Sequence, residues 1–331
     1  MAIGEAIMAA NGGAGQPGSG SLGAVGTLFH DSRNVRVKGF LTQPILAPDS
    51  LGKTLAGVKS EAAGHGGATR TTIRVFMGRN LAEQARHMQL PYDIEAVIPV
   101  GPALPGMDIV YFGKNHQERM PDAHTMSEER KNLAKVLCGT NPVPRTDAIA
   151  RAERGGYSLS LLTSASQNDV QALLSIYREA FEKYTFELNE AAINYMLGNG
   201  NKMFVARGKA GQIASVLVAE ECEIKLDDGR NVLIYELSDF ATSKTDRGNG
   251  LITALQHMAI GCLRNIAPHS VIYAEDRAPW LPVLKSSKEA GMRYHGTLPF
   301  HCTLVSDRTF DYQKGHDFET LHVFVAPHMR D

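Results

Sequence analysis

The chain lacks an imbalance of charge. Its 331 residues hold 34 Lys and Arg against 35 Asp and Glu, a net charge of −1. The basic excess that marks a nucleic-acid or anionic-membrane partner is therefore missing. The sequence also has no apolar run approaching the roughly 20 residues that span a bilayer. Cysteine is scarce and scattered, at Cys138, Cys222, Cys262 and Cys302. No pair has the C-x-x-C spacing of a zinc site or redox motif, and the scatter suits a reducing cytoplasm. His295, His301 and Cys302 cluster without a fourth ligand. His316, His322 and His328 repeat every six residues, which fits no zinc spacing, so no metal is expected. Residues 1–26, rich in Gly and Ala with Glu5 as the only charge, have neither the basic stretch nor the apolar core of a secretory signal. They are expected to form a disordered tail.

What is present is 43% hydrophobic residues, enough to bury a sizeable core, in a length that suits two domains. Residues 27–120 read as a small α/β domain. Strands are expected at Val35–Leu41, Thr71–Met77, Asp93–Ile98 and Met107–Phe112. Asp49 is expected to cap a helix reaching Ala63, and Asn80 a short one reaching Met88. Residues 121–156, polar and carrying Pro142 and Pro144, read as a linker with a helical stretch at Ser127–Leu137. Residues 157–331 form the second domain. Its expected order is strand (from Leu159), helix (from Ser166 or Asn168), helix (Glu190–Leu197), then strands from Lys202, Ile213 and Val232. A glycine loop and helix follow, then a strand at Ser270–Tyr273, a helix at Leu281–Ala290 and a strand at Met292–Leu298.

The glycine loop is the strongest chemical signal. Arg247-Gly-Asn-Gly250 sits between an apolar strand and a helix expected to bury Leu251, Leu255, Met258, Cys262 and Ile266 on one stripe. Glycine lets a ligand approach the backbone, and the unpaired N–H groups and dipole of the helix start favour an anion. A phosphate or pyrophosphate is the natural ligand. Leu251 stands where a Walker loop needs Lys, and Ala254 follows four residues after Gly250, so neither nucleotide-binding glycine motif fits.

The element order and the loop resemble the GNAT superfamily of acyl-CoA-dependent N-acetyltransferases, whose loop reads Arg/Gln-x-x-Gly-x-Gly/Ala. Arg247 and Gly250 match that pattern, while Ile252 stands where Gly or Ala is usual. Tyr177-Arg-Glu-Ala-Phe-Glu-Lys-Tyr-Thr-Phe186, Asp239-Phe-Ala-Thr242, Arg247-Gly-Asn-Gly-Leu251 and Tyr294-His-Gly-Thr-Leu298 are further similar to beta-lysine N-acetyltransferases of bacteria and archaea. The resemblance implies an α/β (α+β) GNAT fold with a mixed, mostly antiparallel sheet flanked by helices. It implies acetyl-CoA as co-substrate and no metal. The N–H groups from Arg247 through Gly248, Asn249, Gly250 and Leu251 to Ile252 would hold the pyrophosphate, and the main chain of Phe240, Ala241 and Thr242 would pair with the pantetheine arm. For residues 27–120 the alternatives are a degenerate acetyltransferase-like half or a separate ligand-binding module.

An alkyl ammonium, with a pKa of about 10.4, must lose a proton before it attacks a thioester. Glu236 and Asp239 precede the loop, where the family keeps its base. Their odd separation puts them on opposite faces of a regular strand, and a bulge would bring them together. Glu236 is the favoured base, with Asp239 on substrate or as a structural acceptor. Tyr184 and Phe186 would line the acceptor cleft, and Arg178, Lys183, Arg277 or Arg293 would answer a substrate carboxylate. The family's acid, a Tyr four residues before the helix-ending Gly291, is replaced by Ser287, and its accompanying Asn by Leu284. Tyr273, Tyr294 or water would then protonate the thiolate. The expected activity is acetyl transfer to a primary amine of a small amino acid or diamine, by direct attack in a ternary complex in the cytoplasm. The partners expected are a small amine and, at most, a second copy of the chain, with neither nucleic acid nor membrane. The rival readings are another acceptor (a protein lysine, an aminoglycoside or an amino sugar) and a non-catalytic acyl-CoA-binding regulator.

Overall fold

Residues 20–21, 26–31, 34, 36–64, 68–116, 119, 123–181, 184, 187–198, 200–225, 229–302 and 318–328 are described by the computed structural model. Most of the expected tail, residues 1–19 and 22–25, lies outside them, as do Lys183 and Phe186. The first elements are β1 (Gly20–Ser21), β2 (Gly26–Asp31), β3 (Arg36–Ile45), α1 (Pro48–Ala63), β4 (Arg70–Gly78), α2 (Arg79–Ala85), β5 (Asp93–Pro99) and β6 (Met107–Asn115). Asp49 does not cap α1. Pro48 takes the first helical position after Ala47, and Asp49 falls in the first turn, where its charge favours the helix dipole. Asn80 likewise lies inside α2, which starts after Gly78.

The segment 121–156, expected as a linker, carries α3 (Ala123–Gly139) and α4 (Arg145–Arg154). Leu133, Val136 and Ala152 from these helices join the core of the second half. The proline pair only separates them.

The second half runs through β7 (Ser158–Leu162), α5 (Gln167–Ala180), α6 (Glu190–Leu197), β8 (Lys202–Arg207), β9 (Ile213–Lys225) and β10 (Asn231–Thr242). It closes with α7 (Leu251–Ile266), β11 (Val271–Arg277), α8 (Leu281–Glu289), β12 (Arg293–Cys302) and β13 (Glu319–Val325). Ser166 starts α5 through a reciprocal capping box with Asp169. Helix α7 buries Leu251, Leu255, Ala259 and Leu263 on one stripe, and each leucine contributes roughly 1.5–3 kcal/mol of burial. Strand β13 was not anticipated. It inserts between β11 and β12, antiparallel to both.

The described strands form one sheet in the order β1-β2-β3-β4-β6-β5-β12-β13-β11-β10-β9-β8-β7. The order contains the same device twice. In the first half, antiparallel β2 and β3 lead through α1 to β4, parallel to β3; α2 and the hairpin β5–β6 follow, with β6 beside β4. In the second, antiparallel β9 and β10 lead through α7 to β11, parallel to β10; α8 and the hairpin β12–β13 follow, with β13 beside β11. The halves meet where Ala96 of β5 pairs with Gly296 of β12. A Cβ on Gly296 would collide with the Glu95 carbonyl and with Ala96, so only glycine fits at this join.

Strands β4 and β10 stand six places apart, about 29 Å in a flat sheet at roughly 4.8 Å per strand. Yet Phe76, Ile109 and Tyr111 of the first half share a core with Ile234, Tyr273 and Val323 of the second. The sheet therefore curls at the join, and the halves face one another. Helices α3, α4, α7 and α8 cover the far face of the second half, and α5 and α6 cover the near face beside the first half.

Candidate active site

Strands β10 and β11 stay paired from Ile234/Val271 to Leu237/Ala274 and then part. On its other side β10 keeps its bond to β9 as far as Thr242/Ser215, across a bulge between Ser238 and Ala241. The splay opens a cleft of about 570 Å³, within the range of small-molecule sites. It runs from the glycine loop, between the parted strands, to the face of the first half.

At one end lies the glycine loop. Gly248 and Gly250 adopt φ of 85° and 70°, conformations that favour glycine. Gly250 is the N-cap of α7, so the N–H groups of Leu251 and Ile252 emerge at the cleft. Asn249 braces the loop by donating to the Asp246 carbonyl (2.9 Å) and to the Tyr157 hydroxyl (3.1 Å), while Tyr157 donates to Asp246 (2.8 Å). Sequence reasoning missed Arg151. It comes from α4, and its Nη1 lies 3.7 Å from where a Cβ of Gly250 would stand. Arg151, Arg247 and Lys285 all line this end. These residues fit a pyrophosphate: a glycine cradle, exposed helix N–H groups and three cations. Arg151 left no local signal, because nearly 100 residues separate it from the loop.

Beyond the loop, Phe240, Ala241 and Thr242 line the cleft on the edge that β11 has left. This open edge is what an extended amide-bearing arm needs for main-chain pairing.

At the far end the bulge does what the spacing required. Asp239 takes φ 54°, and it lines the same cleft as Glu236. Their settings differ. Glu236 accepts from the Tyr273 hydroxyl (2.7 Å) and lies 3.9 Å from Arg74 of the first half. Oδ2 of Asp239 is buried with no hydrogen-bond partner. Burial alone pushes its carboxyl up to about 7. The Tyr177 hydroxyl, also buried and unpartnered, is raised well above the tyrosine range by burial, with Asp239 and Glu220 adding to it. Tyr184 lines the cleft at 8% exposure, 4.7 Å from the Phe181 ring centre.

The first half supplies part of the wall. Asp31, Asn34, Arg36 and Lys38 line the cleft. Arg36 pairs with Asp31 at 2.9 Å and donates to the His301 carbonyl at 2.8 Å. Glu275 accepts from Tyr111 at 2.9 Å, and burial and Glu236 push its carboxyl up. His301 faces Glu275 at 3.8 Å but is held neutral, driven well down by burial and then by Arg36 and Arg70. No expectation placed these first-half residues at the site.

Several candidates separate. Of Arg178, Arg277 and Arg293, only Arg277 lines the cleft, and it is tied to Glu319 at 2.6 Å. Arg178 instead donates to the Leu188 carbonyl. Tyr273 and Tyr294 are not among the lining residues of the large cleft; Tyr294 bonds to Thr297 at 2.7 Å. Ser287 is fully buried, and its hydroxyl accepts from Gln256 at 2.7 Å. Cys302 reaches the wall, but burial pushes its thiol up to about 12, which denies it a thiolate. Among the described residues no group of His, Cys, Asp and Glu is disposed to hold a metal ion. No helix among them is long and apolar enough to cross a membrane.

No family model matches the chain, and no curated protein matches it. Among solved structures the chain is similar to N-acetyltransferases. The Arabidopsis thaliana protein NAA60 in complex with acetyl-CoA aligns at 15% identity and TM-score 0.41, over 51% of this chain and 97% of the other. A GCN5-related N-acetyltransferase from Kribbella flavida aligns at 18% identity and TM-score 0.40, over 52% and 98%. The spermidine N-acetyltransferase of Vibrio cholerae in complex with CoA and spermine aligns at 11% identity and TM-score 0.39, over 53% and 99%.

Proposed function

We propose that the chain transfers an acetyl group from acetyl-CoA to a primary amine of a small amino acid or diamine, a beta-lysine-like acceptor. The observation that carries this reading is the continuity of the cleft, which joins the glycine loop to Glu236 and Asp239 through an open strand edge. Arg151, Arg247, Lys285 and the loop N–H groups would hold the pyrophosphate. The free edge at Phe240–Thr242 would align the pantetheine arm, and an N–H near Phe240 or Ala241 would stabilise the oxyanion.

The acceptor end carries Glu220, Glu236, Asp239 and Glu275. Such a wall favours a cationic amine, while Arg36, Lys38 and Arg277 offer a counter-charge for a carboxylate. Asp239 is the better base. It is ionised above about pH 7, and its buried oxygen has no competing partner. Tyr273 and Arg74 both meet Oε2 of Glu236, which leaves Oε1 to accept from the substrate ammonium. Cys302, which reaches the cleft wall, is held as a thiol by burial, in keeping with direct attack in a ternary complex rather than through an acyl-cysteine.

A thiol-release assay with acetyl-CoA against diamines, amino acids, polyamines and lysine peptides tests the reading. We expect turnover with an amino acid bearing a second amine. Binding of acetyl-CoA without thiol release on any amine would make the chain a regulator instead.

A further inference from the structure

The leaving thiolate lacks the family's tyrosine. Ser287 stands in that position and is turned into the α7–α8 core, held by Gln256. One residue near it is unexplained by the fold. Asp276 of β11 is 1% exposed, lines the cleft, and has neither carboxylate oxygen in a hydrogen bond. A buried carboxylate with both oxygens unpartnered is costly unless it is protonated or meets a ligand.

Its position follows from the splay. The last β10–β11 pair is Leu237/Ala274, so Asp239 and Asp276 each stand two residues past the point of parting, on opposite strands. Side chains alternate along β11. Tyr273 and Glu275 face the first half, where they bond to Arg74 and Tyr111. Ile272 and Ala274 face α7 and α8, and Asp276 continues that row. It thus projects to the side on which α7 and α8 lie, on the wall of the cleft that also holds the glycine loop and Asp239.

We propose that Asp276 is the general acid of the reaction and protonates the departing CoA sulfur in place of the missing tyrosine. This rests on the acetyl-transfer reading above. Asp239 takes one proton from the substrate ammonium. The amine nitrogen attacks the thioester carbon, and the C–S bond breaks with its electron pair moving to sulfur. The Asp276 proton passes to that sulfur and gives the free thiol. Of the two protons lost by nitrogen, one restores Asp276 through solvent and the other is the net proton released.

The surroundings of Asp276 support a neutral carboxyl. His322 pairs with it across β13, and burial pushes that imidazole down to about 4, so it carries no charge at neutral pH. From α8, the Ser287 hydroxyl lies near enough to oppose the rise without closing a good hydrogen bond, and Lys285 and Glu289 pair with each other at 3.6 Å. Across the gap stands Asp239. Burial dominates and pushes Asp276 up to about 8, which keeps it protonated at neutral pH.

The test is Asp276→Asn in the full chain, with kcat and KM measured from pH 6 to 10, beside Asp276→Glu. We expect Asp276→Asn to lower kcat by about 100-fold with the acetyl-CoA KM within about threefold, and to abolish the alkaline fall in kcat. Asp276→Glu should keep that limb. With a small acetyl thioester of an acidic aromatic thiol, which needs no acid, Asp276→Asn should match the wild type. Retention of the alkaline limb and of near-normal kcat by Asp276→Asn overturns this assignment alone. A wild-type chain that binds acetyl-CoA but releases no thiol overturns it together with the acetyl-transfer reading.

Discussion

The two halves share a topology and differ at one junction. In the second half, β10 reaches α7 through eight residues, Ser243–Gly250, with two glycines at positive φ. In the first, β3 reaches α1 through Leu46 and Ala47 alone, and Pro48 then occupies the first helical turn. The short junction removes an N–H and has no positive-φ position, so it lacks a glycine cradle like that of the second half. The parallel pair above it also differs. β3 and β4 pair from Arg36/Arg70 through Leu41/Val75 and touch again at Ile45/Met77, whereas β10 and β11 part for good after four pairs. One topology thus gives a ligand cleft in one half and a closed wall in the other. The closed half is not idle, because it presents Asp31, Arg36 and Lys38 to the cleft and Arg74 to Glu236.

The two halves differ most at Asp239, the proposed base. Asp239→Asn should lower kcat by about 100- to 1,000-fold with little change in acetyl-CoA KM. Glu236→Gln should act mainly on the acceptor KM. Steady-state kinetics on both variants checks this, and the reverse pattern would return the base to Glu236.

The join between the halves comes next. Gly296→Ala forces a Cβ into the β5 backbone and should destabilise by about 2 kcal/mol or more, lowering Tm by several degrees. An unchanged melting curve would mean that the halves do not depend on this contact.

The junctions can be set directly against each other. Gly250→Asp places a carboxylate at the anion site and should raise the acetyl-CoA KM at least tenfold, and Arg151→Ala should raise it several-fold. Ala47→Asp at the matching place in the first half should leave that KM unchanged. It should also stabilise the chain by about 1 kcal/mol, since α1 has no side-chain cap. Equal effects on binding would erase the distinction between the halves.

The smallest effect is on stability against pH. Asp239 and Asp276 are raised to about 7 and 8, so the folded chain binds more protons than the unfolded one between roughly pH 4 and those values. Their contribution favours folding at low pH and is lost as pH rises toward 8. Asp276→Asn should therefore raise Tm more at pH 8.5 than at pH 5.5, as thermal melts in two buffers would show. A site that stores such strain for chemistry gains stability when the charge is removed.

Legibility followed locality. The helix start read at Ser166 or Asn168, which the structure sets at Ser166, and the helix Glu190–Leu197 are written in neighbouring residues. The α7 stripe is as read at Leu251 and Leu255, but its later part turns to Ala259 and Leu263 and leaves Ile266 exposed. The glycine loop was legible for the same reason. Strand β13 was missed, and its pairing with β11 and β12 is wholly non-local. The strand read as Ser270–Tyr273 runs on to Arg277, and the charged triplet Glu275-Asp-Arg277 at its end was the available sign that it enters the site. Arg151 and Asp276 needed the fold to bring α4 to the loop and to open β11.

By itself the sequence determined the elements with periodic apolar faces, the glycine loop and the presence of carboxylates before it. These depend on backbone conformation and side-chain period, which act over a few residues. The tertiary structure decided the rest: that β10 bulges at Asp239 and parts from β11, that the sheet curls so the first half faces the cleft, and which carboxylate is left without a partner. A carboxylate's proton affinity is set by the charge, water and hydrogen bonds around it, and those arrive from strands and helices far apart in the chain.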